Sequence, residues 1–232
     1  MKSDRARLMW RLCVLFGAGV IAFGIWFGGV IPARTCTGSL PPGVSALLAF
    51  QLSRTPADIE AVFGQAGDPC RDAMTAAMDR ANVVDLLGFI ATYGAFLACF
   101  FLALRRTGVG AAARAGLAAI GAVVALDVLE TSTQLYISGA LPGGAASLAL
   151  LTIGSRGKFL GLAVVCGCAG MAMMARGGTI ARFAGGACLV GGMLVAVGLA
   201  YAPARAALSA GNAMAWVVML VYAAAAGLRR AP

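Results

Sequence analysis

Six apolar stretches, 9–31, 83–104, 111–137, 148–175, 182–201 and 212–228, leave this chain few ways to fold. An α-helix needs roughly 20 such residues, within a range of about 17 to 25, to cross the hydrocarbon of a bilayer. The chain is therefore read as an all-α, polytopic transmembrane helical bundle, one membrane domain over residues 1–232. Composition agrees: 61% of residues are hydrophobic, 12% are charged and the mean hydropathy is +0.89, far from a soluble domain. The 32 glycines suit helices that pack closely in lipid.

A formal charge of +9 raises the question of nucleic acid, but the arginines gather at the ends of apolar runs rather than along one face. Orientation in a membrane accounts for them better. Arg5, Arg7 and Arg11 accompany Lys2 at the first span. Arg105, Arg106 and Arg114 lie between the second and third, Arg176 and Arg182 between the fourth and fifth, and Arg229 and Arg230 after the sixth. With six spans all of these share one side, so both termini are expected in the cytoplasm. Arg34, Arg54, Arg71, Arg80 and Arg205 fall on the other side, mostly in a loop that also carries acids. The first run is apolar for about 20 residues, where a signal peptide needs about 7 to 15, and Pro32-Ala33-Arg34-Thr35-Cys36 is a poor cleavage site. It is read as a retained span.

Residues 32–82 form the one sizeable extramembrane segment, read as a small helical cap over the outer helix ends. Thr55-Pro56-Ala57-Asp58 offers an N-cap, a proline at N1 and an acid at N3, and Asp68-Pro69 offers a second helix start. That second helix is expected to run unbroken from residue 69 into the membrane, with Met74 and Met78 on its apolar side and Arg71 and Asp79 open to water. The apolar patch 44–52 is expected to lie along the outer membrane surface. Cys36 and Cys70 are candidates for a disulfide if this loop meets an oxidising compartment, the alternative being two free thiols. The other five cysteines lie in apolar runs. Cys166 and Cys168 point about 200° apart on a helix and no histidine exists to complete a metal site, so they read as small packing residues. No metal, haem or other cofactor is expected.

The chemistry lies in charges that interrupt the later spans. Lys158 is one of only two lysines and stands with Arg156 inside the fourth apolar run, at a cost of about 2.5 to 3.5 kcal/mol per charge near a span's centre. Asp127 and Glu130 interrupt the third run, share a helical face, and are extended along it by Thr131 and Gln134. Counted from the turn near Pro142 at about 1.5 Å per residue, Glu130 lies roughly 10 Å and Lys158 roughly 15 Å into the membrane, so they can meet. Asp85, at the outer end of the second span, is expected to guard the mouth of the cluster, with Tyr93 turned away. Asp85, Asp127, Glu130, Thr131, Gln134, Arg156 and Lys158 are thus the candidate ligand-binding residues. The same acids and bases also read as a neutralised clasp fixing which helices pack together.

Phe50-Gln51-Leu52-Ser53-Arg54-Thr55, Asp85 with Tyr93-Gly94-Ala95-Phe96-Leu97, Leu126-Asp127-Val128-Leu129-Glu130-Thr131 and Lys158-Phe159 resemble motifs of a group of uncharacterised bacterial polytopic integral membrane proteins. Those proteins carry a Glu-Leu-Ala-like segment in the first outer loop, an aspartate followed by a tyrosine, an Asp-x-x-Glu-Asn pair and a lysine opening a later helix. Here Gln51 stands for the loop glutamate and Thr131 for the asparagine. The resemblance covers residues 45–165, implies no activity, and groups Asp85, Asp127, Glu130 and Lys158.

Three classes of function follow. The first is binding or transport of a small polar solute, an ion or a lipid headgroup, although the six spans show no internal repeat of the kind many transporters carry. The second is a membrane enzyme acting on a lipid or isoprenoid, with Asp127 and Glu130 holding a divalent cation against a phosphate and Arg156 and Lys158 as counter-charges. The third is an assembly or accessory subunit that packs on itself or a membrane partner through glycine-rich helices such as those with Gly185-Gly186 and Gly191-Gly192. Nothing like a P-loop or a Ser-His-Asp set is present.

Overall fold

A computed structural model describes residues 2–38, 40 and 43–228; Arg229 and Arg230 of the basic flanks lie outside these. Among the described residues the chain is all-α, without a strand. The elements are α1 (Lys2–Val30), α2 (Ala46–Gln51), α3 (Pro56–Phe63), α4 (Arg71–Val84), a π turn (Asp85–Phe89), α5 (Ile90–Arg105), α6 (Gly110–Ser138), α7 (Ala145–Arg176), α8 (Thr179–Ala200) and α9 (Arg205–Leu228). Among the described residues six helical segments are long and apolar enough to span, with α4, the π turn and α5 forming one of them. In hydrocarbon each backbone N–H and C=O must be satisfied within the protein, and a helix does so within its own segment. The chain is an integral membrane protein.

Two compact units divide it. One comprises Met1–Ile21, Thr92–Val123 and Phe159–Pro232, the other Ala22–Ala91 and Val124–Lys158. In the first, glycine sets how closely α8 and α9 approach: a Cβ on Gly191 would lie 2.7 Å from the Gly211 carbonyl oxygen, and one on Gly211 2.5 Å from that of Gly191. Only glycine fits on either side, which is how membrane helices gain contact without a hydrophobic drive between them. Trp10 packs edge-on to Phe100 and Tyr222, and Tyr93 stacks on Trp216 at 5.4 Å. Cys13, Cys99, Cys166, Cys168 and Cys188 are buried thiols of this unit.

The second unit carries the cap. Ser45 Oγ accepts from the Leu48 amide to start α2, and Thr55 with Asp58 forms a reciprocal capping box at α3, Pro56 following the N-cap. The expectation that 44–52 lies on the membrane surface fails. Leu48 and Phe50 are buried, and Phe50 meets Phe63 edge-on at 4.8 Å within a core that includes Ile59, Met74, Met78, Ile137 and Leu151. Two short amphipathic helices hide more apolar area against each other and against α4, α6 and α7 than either would hide alone. Cys36 and Cys70 are joined by a disulfide that closes 34 residues of sequence, and the Cys36 amide donates to the Val62 carbonyl at 3.1 Å.

Two further expectations change here. The helix expected from residue 69 begins instead at Arg71, where Asp68 Oδ1 accepts from the Cys70 amide at 2.8 Å, but it does run unbroken to Arg105, widening at the π turn where the Ile90 amide reaches the Asp85 carbonyl. At that turn Gly88 lets Phe23 of α1 approach: an added Cβ would lie 2.7 Å from the Phe23 ring. Nor do Arg71 and Asp79 simply face water. Arg71 donates to the Gly64 carbonyl at 3.2 Å, and Asp79 is half-buried and takes the Ser138 hydroxyl.

Candidate functional site: a buried ionic cluster between three helices

All the charges that interrupt the spans, apart from Arg156, converge in the second unit. Asp127 and Glu130, three apart on α6, point the same way, and both are buried, as are Thr131 and Gln134 beside them. Gly154 brings α7 against them, since a Cβ there would lie 3.0 Å from the Glu130 Cα and amide nitrogen. Side chains on a helix lean toward its N-terminus. Lys158, one turn beyond Gly154, therefore reaches back to Glu130. Its Nζ lies 2.9 Å from Asp127 Oδ1 and 2.8 Å from Glu130 Oε2. The ammonium stands between the two carboxylates, where a divalent cation bridging them would have to lie.

Asp85 enters from the π turn. Its Oδ2 accepts from Thr131 Oγ1 at 2.7 Å, and it interacts electrostatically with both Asp127 and Lys158. It is half-buried and belongs to the cluster itself, more than a guard at its mouth. The π geometry bears on this, because one wide turn redirects the side chains beyond it and such turns recur at functional positions. Arg156 is half-buried two residues before Lys158, so it projects from a different side of α7, and the ion pairs of Asp127 and Glu130 are made with Lys158. Ser155 satisfies itself on the Leu151 carbonyl at 2.8 Å. Three carboxylates against one ammonium leave the four side chains with a formal excess of two negative charges.

Sequence reasoning missed Asn82 and Ser138 and left Asp79 in water. Asp79, Asn82 and Asp85 fall three apart and make one face of a helix, while Asp127, Thr131, Gln134 and Ser138 follow the same rule on α6. The two stripes face each other, with hydrogen bonds from Ser138 to Asp79 and from Thr131 to Asp85. Between them, Asn82 Nδ2 and Gln134 Nε2 are buried and meet no acceptor among the described residues, and Glu130 Oε1 meets no donor there.

Comparison with known proteins finds no matching family model, curated protein or solved structure.

Proposed function

We propose that this membrane protein binds a small monovalent cation, the proton included, at Asp85, Asp127, Glu130 and Lys158, and that it serves the binding or transport of an ion or small polar solute. One observation carries the reading: Lys158 pairs with two carboxylates, Asp127 and Glu130, and a third, Asp85, joins the cluster through Thr131 with no base of its own in contact among the described residues. A clasp needs one acid per base, and Lys158 with Asp127 already meets that. The further negative charges cost free energy unless a cation or proton joins them. A lipid-directed enzyme using Asp127 and Glu130 for a divalent cation is the weaker reading, because Nζ takes the bridging position. The arginine distribution supports cytoplasmic termini with the cap outside, and the resemblance to bacterial integral membrane proteins supports a bacterial inner membrane location.

Unfolding in detergent at constant ionic strength tests the proposal, exchanging sodium, potassium and N-methylglucamine and stepping the pH. A ligand bound only by the native state stabilises it by about 2.7 kcal/mol at about a hundred times its Kd. The expected midpoint responds to pH or to one alkali ion, and the response disappears when Asp85→Asn is combined with Glu130→Gln. A midpoint that follows none of these variables in the parent protein overturns the proposal.

A further inference from the structure

Two hydrogen bonds fix the register of α4 against α6. Ser138 pairs with Asp79 and Thr131 with Asp85, so the helices run antiparallel, and six residues of one match seven of the other. Asn82, midway between Asp79 and Asp85, therefore stands level with Gln134. Both amides are at least nine-tenths buried, yet among the described residues the nitrogen of each lacks an acceptor, and Glu130 Oε1, one turn further along α6, lacks a donor. Leaving such groups unsatisfied costs about 1–3 kcal/mol each, and buried water with two to four polar partners is the usual remedy.

We infer that the seam between α4 and α6 holds internal water at the level of Asn82 and Gln134, and that this water is the proton path between the cap side and Glu130. Two waters in the seam meet all three needs: the first accepts from the Asn82 NH2 group and donates to the second, which also accepts from the Gln134 NH2 group and donates toward Glu130 Oε1, so the first keeps one lone pair for the proton that Ser138 passes on. The amides hold the water and do not carry protons. The carriers are the half-buried Asp79 carboxylate, the Ser138 hydroxyl and the two waters: a proton taken up by Asp79 passes to Ser138 Oγ as the Ser138 proton passes to the first water, that water gives one to the second and the second gives one to Glu130, each O–H bond broken on one oxygen being made on the next. The charged groups along the route are Asp79 and Asp85 from α4 and the π turn, Asp127 and Glu130 from α6, and Lys158 from α7. The part of α1 in this unit, residues 22–30, brings no titratable side chain. The destination of the path rests on the cluster being a cation site. The water itself does not.

The chain has only two glutamates, Glu60 and Glu130, so carbon-13 glutamate in a Glu60→Gln background reports on Glu130 alone in the infrared. Water-to-amide magnetisation transfer to the side-chain NH2 groups of Asn82 and Gln134, in the native protein in micelles, tests the water without reference to cation binding. Transfer to both amides is expected, and its absence overturns the inference. Proton uptake by Glu130 after a pH jump tests conduction, with Asn82→Leu and Gln134→Met made singly so that each changes only one amide. Each should slow uptake by about tenfold, about 1.4 kcal/mol of added barrier, without changing the final extent of uptake. Uptake at the parent rate in both variants overturns the path. A Glu130 band that never changes with pH, alongside clear water transfer to the amides, removes Glu130 as the path's destination and counts against the cation reading, while leaving the water in place.

Discussion

At the scale of single residues, the cluster is governed by what a buried charge does when its partner goes. Lys158 holds Asp127 and Glu130 together at 2.9 and 2.8 Å, so Lys158→Met leaves their charges facing each other in a water-poor interior. Breaking a buried pair from one side typically costs about 3–5 kcal/mol, and that loss is the expected shift in detergent unfolding. Adding Glu130→Gln should recover a good part of it, because residues in one network couple rather than add. A double variant that regains its stability yet loses the response to cations separates recognition from packing. If it keeps the full cation response at equal abundance, these charges are a clasp and nothing more.

At the scale of elements, close approach is what lets the cluster form. Gly154 leaves no room between α7 and the Glu130 backbone, so Gly154→Val must push the helices apart or strain the side chain. Overpacking of this kind costs about 1–3 kcal/mol and should weaken the Lys158 contacts with it, seen as a lower unfolding midpoint and a blunted cation response. The cap has its own determinants. Phe50 is fully buried against Phe63, and Phe50→Ala should cost about 3–5 kcal/mol through the cavity it leaves. The disulfide closes a long loop, for which chain entropy gives about 2–4 kcal/mol. Alkylation before and after reduction should differ by two thiols, mapping to Cys36 and Cys70. Equal labelling of protein taken directly from an oxidising compartment would show the pair to be reduced there.

At the scale of the whole molecule, six spans and the arginine pattern predict an orientation that reporter fusions can read. A fusion after Arg106 should report from the cytoplasmic side and one within residues 43–70 from the opposite side. The reverse result for either fusion would require a different number of spans or an inverted protein. The same orientation decides which compartment Asp79 meets, and hence the side from which protons would reach Glu130.

The sequence by itself determined the number and approximate limits of the spans, because hydrocarbon thickness and backbone hydrogen bonding leave a 20-residue apolar run little choice. It also determined the α3 cap at Thr55-Pro56-Ala57-Asp58 and the shared face of Asp127, Glu130, Thr131 and Gln134, since both are rules of a few residues' reach. Tertiary structure decided the rest. Whether α2 lies on lipid or inside the cap depends on Phe63 and Met78, which are distant in the chain. The π turn at Asp85 is one residue's difference in hydrogen bonding, invisible to a periodicity that averages over several turns. That Lys158 rather than Arg156 meets both acids followed from the rotation of α7, and Gly154 packing on Glu130 is what sets that rotation. The facing of Asn82 with Gln134 depended on the register of two helices separated by some fifty residues, and no local pattern encodes a register.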